Sequence, residues 1–145
     1  MIRQAEVRDI EQMIVKGRKF FDESGYAKYT TYDEEAAERT FRYLIECETC
    51  LIDDECRGGI GYVIFPAFMS DSMIIAQEVF WWVDEEQRGS SLGVKLLKAA
   101  EEDARLKGAD VCNIITLNDL GGQQVGKLLN RMGYVPTEQY HSRKL

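Results

Sequence analysis

Two prolines, one histidine and no apolar run near the roughly 20 residues of a membrane span set the first limits on this 145-residue chain. So little proline argues against a collagen-like or proline-rich disordered chain. The 45% apolar and 30% charged shares are those of a sequence with a true core. The length suits one domain spanning residues 1–145, since domains commonly hold about 100–150 residues. The first ten residues carry Arg3, Glu6, Arg8 and Asp9 where a signal peptide needs an apolar stretch, so the expected location is the cytoplasm. Basic charge is also short, with 25 acidic against 18 basic residues and a net charge of −7. No nucleic-acid or membrane partner is therefore expected, and a cationic small molecule or peptide is favoured by long-range attraction.

Cysteine is present but poorly arranged for a metal. Cys47 and Cys50 have CxxC spacing and Cys56 follows, yet Cys112 and His141 are far off and no second close pair exists. Redox CxxC pairs sit at helix N-termini, whereas this one falls where a helix ends and a strand begins. The expectation is buried cytosolic thiols and no metal site. Nucleotide signatures are missing too: there is no Gly-Lys-Ser/Thr loop, and no GxGxxG after a first strand.

What is there reads as alternating elements. Residues 1–5 suit an edge strand. Ile10, Met13, Ile14, Phe20 and Phe21 recur at helical spacing, with Asp9 and Gln12 as a capping pair and Gly25 as terminator. An aromatic loop, Tyr26 to Tyr32, precedes a second helix with Ala37, Phe41, Leu44 and Ile45 on one face and Thr31 with Glu34 as its cap. Strands at about 49–52 and 59–65 form a hairpin or meander with a long apolar strand over 73–83, too apolar for an edge. A helix follows from about residue 91 to Gly108, then a strand through Val111, Ile114 and Ile115. A helix carrying Val125, Leu128, Leu129 and Met132 stops at Gly133, and Tyr134 to Leu145 has room for a last strand. The fold class expected is α/β: a mixed, mostly antiparallel sheet with helices on both faces.

The strand ending in Trp81, Trp82 and Val83 enters a polar turn, Asp84 to Ser91, that opens a helix. Such a turn is a phosphate site in outline, because the first helical amides lack internal partners and small residues let an anion approach. The donors are the amides of Gly89, Ser90, Ser91, Leu92, Gly93 and Val94, with Arg88 adding a charge-assisted bond. An ordinary tight turn has the same outline. Glu78 is the one ionisable residue inside the apolar strand, and burial of a carboxylate asks for a local reason. Trp81 and Trp82 point to opposite faces, which suits one to the core and the other to an acceptor, or both to packing.

The segment from Phe80 to Leu97 resembles the acetyl-CoA motif of the GNAT superfamily of N-acetyltransferases, whose pattern is Arg/Gln-x-x-Gly-x-Gly/Ala. Arg88 fills the first position and Gly93 the last, while Ser91 stands at the middle glycine; its amide can serve provided φ there is not positive. Residues 1–21 and Leu128 to Tyr134 extend the likeness to nearly the whole chain. The resemblance implies a fold of the acyl-CoA N-acyltransferase type and acetyl-CoA as acetyl donor. It implies a coenzyme site at Val83, Arg88 and residues 89–94, with Asn118 reaching the coenzyme, and transfer of acetyl directly to a primary amine. Glu78 lies in the strand that supplies a general base in some members, and it equally suits an anchor for a substrate ammonium or a structural carboxylate. The tyrosine that many members use as acid is replaced by Leu129, which leaves Tyr140, Tyr134 or water. Acceptor contacts fall to Tyr26, Tyr29, Tyr32, Asp22 and Glu23. Two rivals stay open: a non-catalytic acyl-CoA-binding or regulatory domain of the same fold, and an interaction protein without coenzyme. A free sheet edge also suits pairing in a homodimer.

Overall fold

The hairpin expected between residues 49 and 83 is the backbone of the sheet. A computed structural model describing residues 1–145 contains β1 (Ile2–Gln4), α1 (Ile10–Ser24), α2 (Glu34–Glu46), β2 (Cys50–Asp53), β3 (Gly58–Ala67), β4 (Ser70–Val83), α3 (Leu92–Leu106), β5 (Val111–Asn113) and α4 (Gly122–Arg131). The strands lie in sequence order across one sheet, β1-β2-β3-β4-β5. The first three pairings are antiparallel; β4 and β5, joined through α3, are parallel. This is the mixed sheet that the pattern of elements implies.

Period-two alternation divides the core between the two faces. Cys50, Ile52, Phe80 and Trp82 pack with Met13, Phe41 and Leu44 of α1 and α2. Leu51, Ile60, Tyr62 and Ala76 pack with Leu96, Leu97, Ala100 and Ala104 of α3 and with Leu129 of α4. Leu96 and Leu97 are fully buried, each contributing ~1.5–3 kcal/mol by area. On the α1–α2 face, Gly59 and Gly61 make room for aromatic rings. A Cβ at Gly59 would stand 2.3 Å from Trp82, and one at Gly61 2.7 Å from Phe80.

Several expectations need correction. The strand over 73–83 is interior but not central: it begins at Ser70, and β3 is the middle strand. Asp9 does not cap α1 through its side chain. Its carboxylate is held by Arg3 at 2.8 and 2.9 Å and accepts the Glu6 amide at 2.7 Å, tightening a 3-10 turn at Val7–Asp9 instead. The cap of α2 is Asp33, not Thr31, with Asp33 Oδ1 accepting from the Ala36 amide at 3.1 Å. β5 ends at Asn113, short of Ile114 and Ile115. No strand forms after Gly133. Pro136 lacks a donor, Val135 and Tyr140 are each 76% exposed, and the three-residue β5 offers little edge to pair with.

Two glycine substitutions should part company. Gly59→Ala, driving a methyl into the Trp82 ring, should destabilise by ~1–3 kcal/mol in urea unfolding. Gly126→Ala, inside α4 with nothing within 4 Å, should stabilise by about 0.5–1 kcal/mol.

Candidate active site

β4 changes phase midway. Gly61 of β3 faces Phe80, but Tyr62 faces Glu78, so Val79 is an extra residue, a β-bulge. Phe80 and Trp82 turn to the α1–α2 face; without the bulge Glu78 would follow them into that apolar core. Instead it shares the phase of Tyr62 and Ala76, which face α3. The adjacent polar pair Gln77-Glu78 was the sequence signal of this break, since strict alternation does not accommodate it.

β5 pairs with β4 only at Ile75, Ala76 and Gln77. Beyond Gln77 the outer edge of β4 has no strand beside it, and the chain after Asn113 departs. Glu78 bridges that divergence: its Oε2 accepts the Ile115 amide at 2.9 Å. Glu78 as a whole is 7% exposed. Burial pushes its pKa up to about 7, with the Ile115 hydrogen bond pulling the other way. At neutral pH it is thus divided between an ionised base and a protonated acid.

At the far end of β4 the turn takes shape from Gly89, whose φ of +86° suits glycine. Ser91 has φ of −77°, so serine stands at the middle motif position without strain. Within the turn, the Arg88 and Ser90 amides bond to Glu85 and Gln87 carbonyls, and the Leu92 amide to Ser90 Oγ at 3.2 Å. The amides of Gly89, Ser91, Gly93 and Val94 bond to no protein acceptor. A Cβ at Gly93 would touch Val83 at 3.4 Å and Trp81 at 3.6 Å, so the first turn of α3 lies close over the end of β4. Free donors, a glycine-lined approach and the open edge of β4 fit an extended phosphorylated ligand running from the turn toward Glu78.

Other expected residues are dispersed. Trp82 is core, and half-buried Trp81 packs on the α3 side beneath Gly93. Asn118 and Tyr140 border an open trough of about 1110 Å³ beside β5, α4 and the tail, which none of Glu78, Val83 or residues 88–94 lines. Leu129 is buried. Tyr134 donates to Glu101 at 2.5 Å, and burial with that carboxylate raises its pKa. Tyr32 donates to the Ile14 carbonyl at 2.8 Å, leaving Tyr26 and Tyr29 as the exposed aromatics of the loop. Sequence reasoning missed the Ile115 amide and the bond that Glu23 accepts from Arg88.

The pattern of the Acetyltransferase (GNAT) family matches residues 8–134. The chain belongs to that family. No curated protein matches the sequence. Among solved structures, a transcriptional regulator from Bacillus halodurans C-125 superposes with TM-score 0.78 at 17% identity, covering 100% of this chain and 99% of that one. An aminoglycoside N-acetyltransferase in complex with CoA gives 0.74 at 14% identity, with coverages of 100% and 93%. Glucosamine-6-phosphate N-acetyltransferase from Arabidopsis thaliana gives 0.66 at 15%, with coverages of 99% and 96%. At such identities these likenesses carry the fold. The family match carries general acetyl-CoA-dependent acetyltransferase chemistry.

The Glu78 carboxyl makes stability depend on pH. Its pKa rises from 4.5 in the unfolded chain to about 7 in the GNAT fold, so between those values the native state binds more protons. Its contribution is therefore most favourable below pH 4.5, is lost as pH rises, and is fully lost above about 7. Glu78→Gln, which keeps an acceptor for Ile115, should be more stable than wild type at pH 8 by up to about 3 kcal/mol, and the difference should shrink toward pH 5. Urea denaturation of both proteins across that range measures it.

Proposed function

We propose that this GNAT protein transfers an acetyl group from acetyl-CoA to a primary amine on a small molecule or peptide, with Glu78 as general base. The observation that carries the reading is a buried carboxyl of pKa about 7 at the divergence of β4 and β5, on the strand that leads into the amide-rich turn. Acetyl-CoA supplies the acetyl thioester. The free amides of Gly89, Ser91, Gly93 and Val94 and the side chain of Arg88 would hold its diphosphate, with Val83 beneath, and the open edge of β4 would receive its arm. Backbone amides along that edge take the carbonyl oxygen as negative charge grows on it. Ionised Glu78 accepts a proton from the acceptor ammonium, directly or through one water, and frees the attacking lone pair. Residues suited to proton release include no α4 tyrosine. A thiol of ordinary pKa near 8.5 leaves tolerably well without protein help. Tyr140 is the tail's candidate donor, and it serves only if the tail approaches the thiol end.

A thiol-release assay over an amine and peptide library, with products read by mass spectrometry, tests the reaction. Glu78→Gln should keep acetyl-CoA affinity and lower kcat about 10²–10⁴-fold, with a smaller loss at high pH where the free amine needs no base. A rise in acceptor KM at unchanged kcat assigns Glu78 to anchoring the ammonium instead. Near-wild-type constants across pH 6–9 remove both roles. Gly93→Val should raise the acetyl-CoA Kd by about 10-fold or more, ~1.4 kcal/mol, by crowding the approach to the turn. Tyr140→Phe should leave kcat unchanged if solvent protonates the thiolate.

Buried Leu129 at the tyrosine position favours a second reading, a coenzyme-binding regulatory domain without turnover. Tight acetyl-CoA binding with no acceptor-dependent thiol release would establish it.

A further inference from the structure

Three ion pairs tie α1 to the turn between β4 and α3. Lys16 pairs with Asp84, and Lys19 with Glu85 at 3.8 Å. In the third the signs are reversed: α1 supplies the carboxylate of Glu23 and the turn supplies Arg88. That guanidinium is held on two sides, with Nε donating to the Val83 carbonyl at 3.3 Å and an Nη to Glu23 Oε2. Arg88 is the one basic side chain within the turn and stands next to the unpaired amide of Gly89. Its side chain is 40% exposed, that of Glu23 26%.

We infer that Glu23 sets coenzyme affinity by competing with the coenzyme diphosphate for Arg88. The inference rests on the coenzyme reading of the turn. A diphosphate brought to the Gly89–Val94 amides would meet a cation already neutralised by a carboxylate, and that carboxylate repels the incoming anion at short range. Both effects oppose binding. Glu23 thus acts as an internal stand-in for phosphate at the arginine. The other two pairs, which bring cations from α1, hold helix and turn together when the third opens. Removal of the Glu23 charge should therefore strengthen binding without undocking α1.

Calorimetry with acetyl-CoA on wild type, Glu23→Gln and Glu86→Gln tests this. Glu86 is an exposed carboxylate in the same turn with no ion pair, so its variant matches the change in charge. At about 50 mM salt, Glu23→Gln should bind about 5-fold or more tightly than wild type, and the gain should fade near 0.5 M as charge is screened. Glu86→Gln should change Kd by less than about 2-fold, as expected for a charge with no bond to Arg88. Acetyl-pantetheine, which lacks the diphosphate, should bind wild type and Glu23→Gln equally. Circular dichroism and urea midpoints check that each variant is folded; Glu23→Lys, reversing the charge, should exceed the glutamine effect and gives a second route if one variant misfolds. An unchanged or weaker acetyl-CoA Kd for Glu23→Gln overturns the inference while leaving the coenzyme reading intact. An equal gain in Glu86→Gln overturns it also, as a general charge effect. Absence of acetyl-CoA binding by the wild type sinks the coenzyme reading and this inference with it.

Discussion

Opposite Gly61 and Tyr62 of β3, β4 places Phe80, Val79 and Glu78, three residues against two. The surplus residue resets which side chains face which layer. C-terminal to it, Phe80 and Trp82 complete the aromatic core beneath α1 and α2; N-terminal to it, Ala76 closes the core beneath α3. Glu78 stands at the step itself. A bulge increases local twist and bends the strand that carries it, and here the pairing with β5 ends at the residue before Glu78. One irregularity thereby opens the sheet edge, removes a carboxyl from an apolar layer and sets it against the amide of Ile115.

Burial alone would make Glu78 a costly passenger, since a carboxylate away from water requires a partner or a proton. It has one of each in part: a single amide donor and a pKa near neutrality. A full set of donors would have driven the pKa down and produced an inert anchor, as Asp53 illustrates. That residue also has little exposed surface, but Arg57 holds it at 2.7 and 3.0 Å and its pKa falls to about 2. The contrast between the two carboxyls lies in the balance of desolvation, which leads at Glu78, against a charged partner, which leads at Asp53.

Sequence patterning revealed the layers of the fold because they depend on local periodicity: helices at 3.6, strands at 2, and glycines at the ends of α1 and α3. The turn at residues 84–91 was legible for the same reason, as strand, small polar residues and helix follow one another directly. What eluded it depends on contacts between distant segments. Asp9 belongs to Arg3 through a turn that propensity did not resolve, and the Glu23–Arg88 pair joins residues 65 positions apart. The tail was misjudged on length: twelve residues can hold a strand, but Pro136 and a polar, non-alternating run give little reason to form one. The bulge left a trace in Gln77-Glu78, whereas the end of β5 left none, because the Ile115 amide is a backbone group that no side-chain pattern reports.

The order of strands across the sheet repeats their order along the chain, and that bears on how the molecule assembles itself. β3 and β4 are joined by a turn at Phe68 and Met69, so their ladder closes a short loop. The β4–β5 ladder must wait for the whole of α3 to form and cross over. Entropy of loop closure rises with the length enclosed, and three ladder residues give little in return. The hairpin is therefore the natural nucleus, and the parallel seam, like the three-residue β1–β2 ladder that closes a longer loop still, sets after it and opens before it. Local opening at that seam, measurable by hydrogen exchange at Ile115, would expose Glu78 while the rest of the sheet stays intact.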